Sequence, residues 1–172
     1  MRENGAPRVI LLLLAAVAAV QLIHYYPQMP GRMIVHFGAS GEPNGWSERL
    51  RFFLTFGALE AMVVAVGLLL PKLMASVPAS FFNIPNRHYW FAPERREGTV
   101  AFLRTHILWI ESATLLFLVG IAQITFTVNL SGGEKRLPGD FWIVVIAFVA
   151  VVIGLAIRIV LRFREELQSG RT

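Results

Sequence analysis

The chain has 172 residues, of which 55% are hydrophobic and 16% charged, whereas a soluble domain carries roughly a quarter charged residues. Its charges gather in short polar stretches and leave long apolar runs, which excludes a soluble single-domain enzyme and a disordered or fibrous chain. The lack of cysteine excludes disulfides, thiolate catalysis and Cys-ligated metals, and the net charge of +5 suits basic loops at a membrane face rather than a nucleic-acid partner.

A transmembrane helix needs about 20 mostly apolar residues. Four stretches meet this, at about 9–26, 52–70, 104–130 and 141–161. They predict an all-α polytopic protein, residues 1–172 forming one domain with four transmembrane helices in one bundle. The first span follows Arg2 and Arg8 and contains several alanines, as a signal peptide would. Its apolar run continues to Ile23 and ends in Tyr25 and Tyr26, so an uncleaved helix is expected. Small residues four apart let helix backbones approach closely. Ala15 with Ala19, Gly57 with Ala61 and Ala65, and Ala150 with Gly154 form such stripes.

The loop at 27–51 is long for a connection. Met33 to Phe37 is extended in character, and Glu42-Pro43-Asn44-Gly45 is a strong turn signal before Trp46 returns the chain to the interface. We expect Met33 to Phe37 to fold back over the helix ends with His36 directed inward and hydrogen-bonded. His36, Glu42, Asn44 and Trp46 are candidate ligand- or partner-binding residues.

Glu60 lies near the middle of the second span. The loop at 71–99 carries a second candidate group, Asn86, Tyr89, Trp90 and Arg95, which equally suits an interfacial belt. Pro93 and Glu94 predict that the third helix begins there, turns before it enters the membrane. That helix carries Glu111 and Asn129, and the fourth carries Arg158 near its end. Ionisable groups in a bilayer are costly and face a bundle interior or cavity. Glu111 and Arg158 share one half of the membrane and are expected to pair, with snorkelling of Arg158 as the plainer reading. His24 and His36, with Glu42 or Glu48, lie on one side but suit loop hydrogen bonding better than zinc. No catalytic set, metal site or cofactor is expected.

Orientation follows from Lys and Arg. The side holding both termini and the 71–99 loop has eleven, and the other side has five, namely Arg32, Arg49, Arg51, Lys135 and Arg136. Both termini should therefore be cytoplasmic, with 71–99 a cytoplasmic loop and 27–51 an outer loop.

Pro30 with His36-Phe37, Gly41, Pro43 and Gly45-Trp46 resembles the motif of a bacterial membrane domain of unknown function. That domain also forms the N-terminal part of Sdp-type immunity proteins, which protect a cell from a secreted killing peptide and signal its presence. Pro85-Asn86-Arg87, Tyr89-Trp90, 92–96 and Asn129 resemble the same family's second signature. The resemblance covers about 9–130 and implies a helical membrane bundle without an established reaction. The four spans expected here do not include the further C-terminal spans of the immunity proteins.

Two classes of function are compatible with these residues. One is a binding, sensing or immunity-type module of the bacterial inner membrane, whose outer loop meets a secreted peptide or another membrane protein. The other is a transporter or a metal- or proton-dependent membrane enzyme using intramembrane carboxylates. Turn-rich, aromatic, ligand-poor loops favour the first. The cysteine-free chain allows a direct test of orientation. Ser40→Cys and Gly133→Cys should react with impermeant thiol reagent in intact cells and Ser169→Cys should not; the reverse pattern overturns the orientation.

Overall fold

The computed structural model describes residues 5–74, 76–133 and 135–164, so Arg2, Ser169 and Arg171 lie outside the described residues. Helices α1 (Gly5–Tyr25), α2 (Arg49–Leu73), α4 (Pro93–Leu130) and α5 (Asp140–Arg164) are each long and apolar enough to cross a membrane. A short helix, α3 (Arg87–Trp90), lies between α2 and α4. Pro93 opens α4 with Glu94 in its first turn, where a missing N–H is harmless and an acid meets the helix dipole. Its 38 residues make a rod of about 57 Å, far longer than the roughly 30 Å of hydrocarbon.

Helices α1, α2 and α4 enclose a core of Leu11, Ala18, Val63, Leu108, Leu115 and Leu118. Helix α5 runs along α4, with Phe148 stacked on Phe117 at 4.5 Å, and Phe163 is its one buried residue among those described. Several polar side chains inside the bundle find partners on neighbouring helices or along their own. The Gln21 amide donates to the Val119 carbonyl and to Gln123 Oε1, and the Gln123 amide donates to the Tyr25 hydroxyl. Thr105, Ser112, Thr114, Thr125 and Thr127 each donate to the carbonyl four residues back along α4.

Two expectations about the spans are corrected. Glu111 and Arg158 form no ion pair: Glu111 lies against Gly67 of α2, and Arg158 is exposed. At about 100° per residue, Glu111 and Phe117 stand roughly 120° apart around α4, so the face that meets α5 is not the one bearing Glu111. Gly154 meets nothing across α5, so the small residues there are no packing stripe. The stripes of α1 and α2, by contrast, line one shared recess.

The extended segment of the first loop is half of a β-hairpin, β1 (Arg32–Phe37) with β2 (Pro43–Glu48), antiparallel. Met33 is fully buried and joins Met29, Phe53, Ala122 and Phe126 beneath the hairpin. Gly45 faces His36 so closely that a Cβ there would come within 2.7 Å of the His36 Cβ. Arg49 N–H donates to the Gly31 carbonyl, and pairing alternates along an antiparallel ladder, so Ile34 turns its backbone away from β2. Asn129 of α4 meets it there. The Ile34 N–H donates to Asn129 Oδ1, and Asn129 Nδ2 donates to the Ile34 carbonyl, each at 2.8 Å.

Asn129→Ala would leave both Ile34 groups buried without partners, at about 1–3 kcal/mol apiece. It should lower thermal stability in detergent by about 2–4 kcal/mol and speed tryptic cleavage at Arg32. An unchanged melting temperature and cleavage rate would refute the anchoring role. Gly67→Ala sets a Cβ 2.6 Å from Leu11 Cδ2 and 3.2 Å from Glu111 Cβ. It should destabilise by about 1–3 kcal/mol through overpacking, read from the same melt.

Candidate functional site

The candidate residues fall on two surfaces that α4 holds apart. His36, Glu42, Asn44 and Trp46 belong to the hairpin, beside Asn129 at the C-terminal end of α4. Asn86, Tyr89, Trp90 and Arg95 belong to the segment around its N-terminal end. The helical rise from 95 to 129 is about 50 Å, so no small ligand touches both groups.

The hairpin loop is closed from within and tied from outside. Gly38 N–H donates to the Glu42 carbonyl at 2.8 Å, and Gly41 N–H donates to the Gly38 carbonyl at 2.9 Å. Gly41 has φ of +80°, a conformation that a Cβ strains. Its carbonyl accepts from Leu137 N–H at 2.9 Å, and Arg136 donates to the Glu42 carboxylate at 3.0 Å. Both ion-pair side chains are half or more exposed, so the pair positions the loop and adds at most about 1 kcal/mol.

Between the hairpin and the segment from Leu137 into the first turn of α5 lies a recess of about 480 Å3. Val35, His36, Ser40, Leu137, Phe141 and Trp142 are among its lining residues. It offers aromatic and aliphatic faces, one hydroxyl and one imidazole, a set suited to a ligand of mixed polarity. His36 departs from expectation because its side chain is exposed rather than directed into the bundle. Strand alternation would put it on the buried face of Ile34, but the pairing shifts register between these two residues and turns it out. Its ring does have the expected hydrogen-bond partner, the Asn44 side chain. Trp46 is 49% exposed, with the Arg32 guanidinium 5.4 Å from its ring centroid.

At the other end, Asn86 adopts a left-handed conformation (φ of +49°) and its carbonyl accepts from Tyr89 and Trp90 N–H. Trp90 is buried edge-on against Phe163, and Thr99 donates to its carbonyl at 2.9 Å. It therefore packs the chain and offers no surface to a ligand. Tyr89 and Arg95 remain exposed, the guanidinium 3.9 Å from the ring centroid. Such cation–π pairs suit a membrane interface.

The intramembrane candidates are likewise dispersed. Glu60 is 4% exposed, and its Oε1 has no hydrogen-bond partner. It lines a recess of about 380 Å3 with Ala15, Ala19, Gly57, Ala61 and Ala65. Neither Glu111, against Gly67, nor the exposed Arg158 lines that recess.

Sequence reasoning passed over Leu137 and Trp142, which line the hairpin recess, and Arg136, which holds Glu42 of the hairpin loop. They sit in or beside a short turn remote in sequence, and an acid and a base on separate loops leave no local pattern to find.

Residues 10–59 match the family described as a domain of unknown function (DUF1648). The matched segment takes in most of α1, the whole hairpin and the first part of α2. Neither a curated protein nor a solved structure matches the chain.

Proposed function

We propose that this is a multi-pass protein of the bacterial cytoplasmic membrane that recognises a secreted peptide or a partner membrane protein at the hairpin. Its role would be that of a sensing or immunity-type module. The hairpin recess carries this reading, because its walls are fixed in advance by Asn129, by the Gly41–Leu137 contact and by Glu42–Arg136. A recess built beforehand loses little ordering entropy when a ligand enters it. The excess of basic residues around the opposite end turns the hairpin outward, towards secreted molecules. The resemblance to the N-terminal part of Sdp-type immunity proteins supports the same class. Helix α4, continuous from Pro93 to Leu130, would report occupancy to the α3 segment on the cytoplasmic side.

Protection can be measured by growth of a sensitive strain in the presence of secreted killing peptides, with and without the protein. Ala at His36, Glu42, Asn44 and Trp46 together should abolish protection while inserted protein accumulates at its normal level. Full protection by that variant removes the hairpin as the site, and loss of inserted protein assigns these residues to folding.

A second reading, transport or proton-dependent catalysis, is favoured by the partnerless oxygen of Glu60 alone. Under it, Glu60→Gln should abolish a proton flux in proteoliposomes, whereas a hairpin module would keep its protection in that variant.

A further inference from the structure

At the end of the bundle away from the hairpin, three cations from three helices line one recess of about 390 Å3. They are Arg8 in the first turn of α1, Lys72 in the last turn of α2, and Arg104 of α4. Gly67, Pro71 and Leu108 form part of the remaining wall. None of the three cations has an ion-pair or hydrogen-bond partner among the described residues, and Arg104 Nε is buried without one. The nearby acid Glu111 lies against Gly67 and makes no ion pair with them. Like charges gathered round one cavity repel each other, and a buried guanidinium N–H without an acceptor is costly. An anion placed among them relieves both penalties.

Depth identifies the anion. Arg8 and Lys72 lie at the ends of membrane-length helices, which is headgroup level, and the wall beside them is apolar. Basic pockets between transmembrane helices at this level hold anionic lipid headgroups, and guanidinium groups grip phosphate oxygens through paired donors. We infer that Arg8, Lys72 and Arg104 bind the phosphate of an anionic phospholipid whose acyl chains stay in the surrounding bilayer. Free phosphate shares the headgroup's chemistry but gains nothing from the apolar wall or from being held at the membrane.

The test uses full-length purified protein in neutral detergent, with binding followed by native mass spectrometry. Phosphatidylglycerol, phosphatidylcholine and inorganic phosphate are the probes. Phosphatidylglycerol should bind in preference to phosphatidylcholine, and millimolar phosphate should not displace it. The combined variant Arg8→Gln, Lys72→Gln, Arg104→Gln should lose about a hundredfold of that preference, and Arg104→Gln alone about fivefold. Arg87→Gln, Arg158→Gln and Arg164→Gln together remove the same charge from the same end of the bundle and should leave the preference intact. Equal losses in both triple variants would mean diffuse surface charge, and displacement by phosphate would mean a soluble-anion site. Either result overturns the proposal, as does an absent lipid preference. Should the triple variant fail to fold, an unchanged preference in Arg104→Gln overturns it as well.

Discussion

The pairing of Asn129 with Ile34 settles where everything on the hairpin side must lie. A two-stranded hairpin is marginal by itself, and an edge strand set over apolar helix ends exposes backbone groups that water cannot reach. A carboxamide carries one acceptor and two donors, so a single side chain can imitate the edge of a neighbouring strand. With Asn129 5% exposed and both bonds at 2.8 Å, β1 is docked on α4 as well as on β2. Met33 can then reach the aromatic cluster, and the hairpin tip can meet Arg136 and Leu137.

Much of the fold is legible in the sequence because lipid reduces the choices. Uninterrupted apolar length reads as a spanning helix, and Pro93-Glu94 reads as a helix start. The extended character of Met33 to Phe37 reads as β1, but the turn expected at Glu42 to Gly45 is corrected. The chain reverses at 38–42, closed by the Gly38–Glu42 and Gly41–Gly38 bonds, and Pro43-Asn44-Gly45 runs in β2. Depth along a helix is readable in the same way, but azimuth is not. Glu111 and Arg158 were matched by depth, and rotation about α4 sends Glu111 towards α2. His36 fails for a related reason, since one register irregularity changes the face and no residue type announces it. Asn129 stood out as a polar group closing an apolar span; that it serves a backbone 95 positions away is a tertiary fact.

The separation of the two candidate surfaces changes how their residues should be weighed. Trp90, buried on Phe163, and Asn86, bent to end a turn, shape the chain at the end away from the hairpin. The hairpin residues surround an open recess. Similar aromatic and turn-forming composition therefore serves packing at one end and leaves a cavity at the other. Burial distinguishes the two roles, and composition cannot.

The hydroxyls that bond back along α4 have a consequence for how the chain enters the membrane. The most apolar window of α4 is the least apolar of the four, and that of α5 is the most apolar. Helix α5 can partition into lipid on its own composition. Helix α4 carries Gln123, which bonds Gln21 and Tyr25, and Asn129, which bonds Ile34, so both draw on earlier segments, whereas its serine and threonine hydroxyls bond back along the helix itself. Synthesis runs from the N-terminus, so α1, the hairpin and α2 are already present when α4 emerges. The span that most needs company thus arrives third, into a groove prepared for it, and the one that needs least arrives last.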